Sequence, residues 1–209
     1  MNYTFYRLGY ISGMAAFIAT CSFVIAQSLQ SADLLKYPWD EILIYSTSLC
    51  ITIPFLLLIL SVHYISPIDK KIWSHAAVIF SVIYVTFVIA NYIVQLATVI
   101  PMTLKGRSNE IQLLIQTPHS LFWNFDAIGY IFMGLVTLFL IPIFEKSGFE
   151  KKVRWWLVAH FLTTPIIGFV YFYWNFSPQL LFIGFVWGVT APGFMLMLAL
   201  LFRQKNNLK

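Results

Sequence analysis

Charge is what this sequence of 209 residues has least of: 13 Lys and Arg and eight Asp and Glu make up 10% of the chain. A water-soluble domain carries about 25% charged residues, because its surface has to be hydrated. So few charges do not wet a body of 24.1 kDa. Cysteine is scarce as well. Cys21 and Cys50 both fall in apolar runs, where a thiol acts as a small packing residue, so a disulfide-rich scaffold is excluded. The chain holds no Gly-rich phosphate loop, HExxH motif, CxxC pair or nucleophile elbow. No Lys or Arg interrupts its long apolar stretches, which removes a retinal-type Schiff base and a voltage-sensing helix.

What remains is greasy. Sixty per cent of residues are hydrophobic, 18% are Phe, Trp or Tyr, and mean hydropathy is +0.80. A bilayer core of about 30 Å needs roughly 20 apolar residues per helix. Six stretches qualify: 8–27, 42–65, 73–100, 121–144, 155–174 and 180–202. The expected fold is therefore all-α, a single transmembrane domain over residues 1–209 built as a polytopic bundle of six helices. The first span exceeds the 7–15 residues of a signal-peptide core, and Thr20 spoils a lipobox reading of Ile18-Ala19-Thr20-Cys21. It is expected to be an anchor. Trp39, Trp73, Trp123, Trp155, Trp156 and Trp174 sit near span ends, as interfacial aromatics do.

The bases set the orientation. Under alternating topology Arg7, Lys70, Lys71, Lys146, Lys151, Lys152, Arg154, Arg203, Lys205 and Lys209 share one side, and only Lys36, Lys105 and Arg107 share the other. Cytoplasmic loops carry the Lys and Arg excess, which places both termini in the cytoplasm of a plasma membrane. The formal charge of +5 thus forms a collar at the lipid surface. Anionic headgroups are the expected contacts of Lys151, Lys152 and Arg154, and nucleic acid is not a partner. The longest outer connection, 101–120, contains a segment, 109–116, with Ile111, Leu113, Leu114 and Ile115. It reads equally well as a short helix on the membrane and as a plain loop.

Ionisable groups inside spans are costly and are candidates for function. Asp126 lies about five residues into the fourth span, roughly 7 Å below its outer boundary at 1.5 Å per residue. Gln95 reaches a similar depth, and Asn91 is one turn away on the same helical face. Asn124, Tyr45, Ser46 and Ser48 extend this outer polar layer. In one reading Asp126, Asn91, Gln95 and Asn124 line a cavity and bind a ligand. In the other, Asp126 is hydrated or caps its helix, and the amides join helices at about 0.6–2 kcal/mol each.

Histidines offer another chemistry. His63 and His75 fall at inner span ends, His160 lies a little deeper, and His119 stands alone at the outer face. A pair made of His160 with His63 or His75 would suit haem or a metal, whereas a lone imidazole serves as an ordinary hydrogen-bonding group. Gly9-xxx-Gly13 and Gly184-xxx-Gly188 mark close helix approach, within the bundle or across a dimer. Pro54 and Pro165 interrupt the middle span of each half, the pattern of an inverted repeat with a site at its centre.

Several pieces carry a resemblance: Pro118-His119-Ser120-Leu121-Phe122-Trp123, Gly129-Tyr130 with Met133-Gly134, Arg154-Trp155-Trp156, and Leu201-Phe202-Arg203. Over about its C-terminal half the chain resembles an uncharacterised group of bacterial and archaeal six-helix integral membrane proteins. The resemblance implies a prokaryotic plasma-membrane protein and implies no activity or functional residue. Three functional readings stand at this point. The first is binding or transport of a small or lipidic ligand through the outer polar layer. The second is an accessory or scaffold subunit with a membrane partner or a second copy of itself. The third is a redox protein or enzyme with a histidine-ligated cofactor. No residue is singled out as catalytic.

Overall fold

The computed structural model describes residues 2–207; Lys209, counted above among the terminal-side bases, lies outside them. Among the described residues the secondary structure is helical, with no strand. The long helices are α1 (Asn2–Ser31), α2 (Trp39–Ile65), α3 (Lys71–Val94), α5 (Leu121–Leu140), α6 (Gly148–Phe172) and α8 (Trp187–Asn207). Two short helices, α4 (Ile100–Leu104) and α7 (Pro178–Gly184), continue the third span and open the sixth. Among the described residues, six segments are long and apolar enough to cross a membrane, as the sequence pattern requires. Most run longer than the apolar stretches alone: the first spans Thr4–Ser31 and the third Ile68–Leu104.

Each long helix packs on its neighbours in the chain, and α1 closes the ring against α8. Glycine makes that closure possible. A Cβ on Gly9 would lie 2.6 Å from the Phe202 ring, and one on Gly13 2.9 Å from Ala199 Cβ. The Gly9-xxx-Gly13 face is therefore an internal seam rather than a dimer surface. Gly134 gives the same access to Thr164, and Gly193 to the Trp156 ring. Buried hydroxyls do not need partners from other helices. Ser12, Thr20, Ser61 and Thr137 each donate to the carbonyl three or four residues back, at 2.6–2.8 Å, which satisfies a polar group without leaving its own helix.

The outward faces are apolar. Ile11, Ile18 and Ile25 on α1, and Trp155, Leu162 and Phe169 on α6, recur every seven residues and are more than half exposed. Seven residues are close to two helical turns, so each set forms one stripe. A face of this kind suits hydrocarbon and not water. The ion pairs sit where chain ends and loops gather: Lys70 with Glu145 at 2.8 Å and Lys205 with Glu150 at 2.6 Å. Arg154 donates to Ile141 O at 2.7 Å and pins the connection between α5 and α6.

Two spans break from regular helix. Gln95–Val99 forms a π turn between α3 and α4. Pro101 follows, with no N–H for the Ala97 carbonyl and a ring that crowds it; a widened turn relieves both. The sixth span breaks at Phe185 and Val186, between α7 and α8. Of the two readings of segment 109–116, the loop holds. Apart from a 3-10 turn at Ser108–Glu110, no helix forms there. Its backbone and Gln116 are drawn down to two buried amides, Gln95 in the π turn and Asn91 on α3, which a surface helix would leave unmet.

Candidate functional site: a carboxylate in an aromatic cavity

Asp126 stands one and a half turns into α5. The helix start is fixed by Ser120, whose Oγ accepts from Trp123 N at 3.2 Å, so Asp126 is not the cap. Nor does it face open water, being 5% exposed. Its two oxygens take three hydrogen bonds from three separate elements. Tyr92 on α3 donates to Oδ1 at 2.5 Å. Tyr171 on α6 donates to Oδ2 at 2.5 Å, and loop residue Gln116 donates to the same oxygen at 3.2 Å. Among the described residues no Lys, Arg or His forms an ion pair with it.

The amides expected nearby arrive by way of the loop. Asn91 donates to Gln116 Oε1 at 3.0 Å, and Gln95 donates to Leu114 O at 2.7 Å. Asn91 and Gln95 are fully buried on one face of the third span, four residues apart, and together they tie the loop down. Asn91 Oδ1 stays without a partner. Asn124 does not join: it is half-buried and two residues from Asp126, which puts it about 200° around the helix. Among the described residues its side chain makes no hydrogen bond to Asp126, Asn91 or Gln95.

Asp126 borders a cavity of about 270 Å³ at the end of the bundle away from the chain termini. The wall is aromatic: Tyr45, Tyr92, Trp123, Tyr130, Tyr171 and Trp187. These rings brace one another. Tyr45 stacks on Tyr92 at 5.2 Å, Trp123 lies tilted against Tyr171 at 4.5 Å, and Tyr130 meets Trp187 edge-on at 5.0 Å. Trp123 also donates from its indole to Tyr171 O at 3.1 Å. Towards the rim come Gln27, Gln30 and Glu41; Gln27 donates to Gln30, which donates to Asp40 at 3.0 Å. Among the described residues, none that lines it is Lys, Arg or His. A second void of about 20 Å³, bordered by Ser48 and Asp126, has room for one water.

Backbone breaks point at the same place. Gly184, Phe185 and Gly188, around the α7–α8 interruption, line the cavity. Pro192 cannot give an N–H to Gly188 O, so that carbonyl lacks its helical donor. Gly188 also gives room to Val24, 3.3 Å from where its Cβ would stand. Of the two glycine pairs, this second one thus shapes the cavity.

The histidines are scattered among other tasks. His160 is buried between α6 and α8, 3.1 Å from Thr190 Oγ1 and against the Phe194 ring. His63 contacts Ser74 Oγ at 2.9 Å and lies 5.7 Å from the His75 ring. His119 is exposed with φ 66° in the turn before α5. Of the two histidine readings, His160 fits the ordinary hydrogen-bonding group: it faces the neighbouring α8, and His63 and His75 neighbour each other instead. Among the described residues no three His, Cys, Asp or Glu gather as a metal site.

Sequence reading missed Tyr92, Tyr171, Gln116 and Glu41. Tyr92 is one residue from Asn91, but nothing in the sequence says that its ring faces inward. Protein-family models, curated protein sequences and solved structures were compared with the chain, and none matches.

Proposed function

We propose that this chain is an integral plasma-membrane protein that binds, or carries across, a small ligand through the cavity at Asp126. The cavity opens towards the outer leaflet, and both termini are cytoplasmic. Six long apolar helices with apolar outward stripes support insertion. The collar of bases at the terminal end supports the orientation, since Lys36, Lys105 and Arg107 alone mark the other. One observation carries the function: a buried carboxylate, fed by three donors from three elements, forms the wall of an aromatic space. Burying a charge costs several kcal/mol unless it is compensated. Packing alone does not need one there. A cavity of 270 Å³ takes a ligand of about ten non-hydrogen atoms, judged against the 150 Å³ space that holds benzene. That favours a small molecule or a lipid headgroup over a whole lipid.

The test is a thermal-stability panel of small cationic, neutral and anionic compounds on purified protein. At least one class raises the melting temperature of the wild type, and Asp126→Asn loses that rise. A rise that survives the substitution places the ligand elsewhere and overturns the assignment.

A further inference from the structure

The cavity's wall has a definite chemical bias, and it bears on which ligand class fits. Two carboxylates border it, Asp126 deep and Glu41 near the rim, and among the described residues no cationic side chain does. Neither carboxylate is in an ion pair among the described residues. Asp126 is held by neutral donors, which orient a carboxylate but leave its net charge in place. Helix ends of both polarities surround the space, C-termini of α1, α3 and α6 and N-termini of α2, α5 and α8, so their dipoles largely cancel. Side chains decide the local field, and it is negative.

The rings supply the second half. Six Tyr and Trp side chains present π faces and edges to one space. Ring faces are the negative part of the quadrupole and attract a cation held within about 6 Å. Primary ammonium and inorganic cations prefer oxygen donors and their own water, whereas an alkylated ammonium is poorly hydrated and fits aromatic walls. The buried Trp187 indole N–H, without a partner among the described residues, leaves one donor for a polar arm.

We infer that the cavity binds an organic cation, an alkylated ammonium group enclosed by Tyr130 and its neighbouring rings and paired with Asp126. This inference rests on the ligand-binding reading above and specifies its ligand. The same chemistry occurs in a free amine and in the choline headgroup of a lipid.

Choline and its uncharged isostere 3,3-dimethyl-1-butanol separate charge from shape. Both are titrated against the purified full chain in phosphatidylglycerol nanodiscs, with binding read from the change in total tryptophan fluorescence, since Trp123 and Trp187 line the cavity. Choline binds, and the alcohol binds at least about tenfold more weakly. Tyr130→Leu weakens choline by about tenfold while Tyr130→Phe keeps most of the affinity, and Glu41→Gln at the rim weakens it without touching the buried bonds of Asp126. Repeating the titration in phosphatidylcholine nanodiscs distinguishes the sources. Unchanged choline binding means a free amine, and blocked binding means the lipid headgroup. Equal binding of choline and the alcohol, or no binding of choline, overturns the organic-cation assignment. The cavity reading then stands or falls on whether any neutral or anionic compound stabilises the wild type and not Asp126→Asn.

Discussion

Asp126 concentrates the physical argument at the level of single residues. Hydrogen bonds to a charged group contribute about 1.5–3 kcal/mol, and removing one partner of a buried bond exposes the desolvation cost of the other. Tyr92→Phe and Tyr171→Phe should each lower stability by about 1–3 kcal/mol, measured by denaturant titration in mild detergent. In an Asp126→Leu background the same Tyr→Phe changes should cost far less, because the acceptor is gone; this non-additivity is the signature of a direct bond. Equal costs in both backgrounds would mean that the two hydroxyls serve something other than the carboxylate. Outside the spans, Arg107 grips Glu110 with two bonds of 2.6–2.7 Å and holds that carboxyl below its usual range. That pair is exposed at the surface and contributes little. Asp126, Asn91 and Gln95 were legible in the sequence because polar groups in an apolar run stand out. Tyr92 and Tyr171 were not, because Tyr is common at span ends as an interfacial anchor and its position says nothing of its direction. Gln116 was hidden in a loop whose fold depends on amides 25 residues earlier, on another helix.

At the scale of elements, the bundle depends on places where a helix has no side chain. Gly193 on α8 lies against the Trp156 ring of α6, and its Cβ position is already filled. Gly193→Ala should destabilise by about 1–3 kcal/mol, as overpacking does, and Trp156→Leu in the same chain should recover part of it. A melting temperature unchanged by Gly193→Ala would contradict this packing. The helices themselves were legible from apolar length, since nothing but a span explains more than 20 such residues. The π turn at Gln95–Val99 and the break at Phe185 and Val186 were not, although Pro101 and Gly184 stood beside them. Apolar runs report burial in lipid or protein and are blind to a single extra residue per turn. Both irregularities lie near the cavity, one through Gln95 and its hold on the loop, the other in the wall itself.

For the whole molecule, the ring of six helices holds a cavity at the end away from the termini, where aromatic rings gather. The pairing of helices was beyond one-dimensional pattern: periodicity marks which residues avoid water, and it does not say which stripe meets which. Together these features support the proposal that a small ligand is held against Asp126 in the membrane. Native mass spectrometry of gently solubilised protein tests it most directly, with wild type and Asp126→Asn measured side by side. The account predicts a small-molecule adduct on the wild type, consistent in mass with an alkylated amine or its lipid, that the variant has lost. The same adduct at the same abundance on both proteins would contradict it.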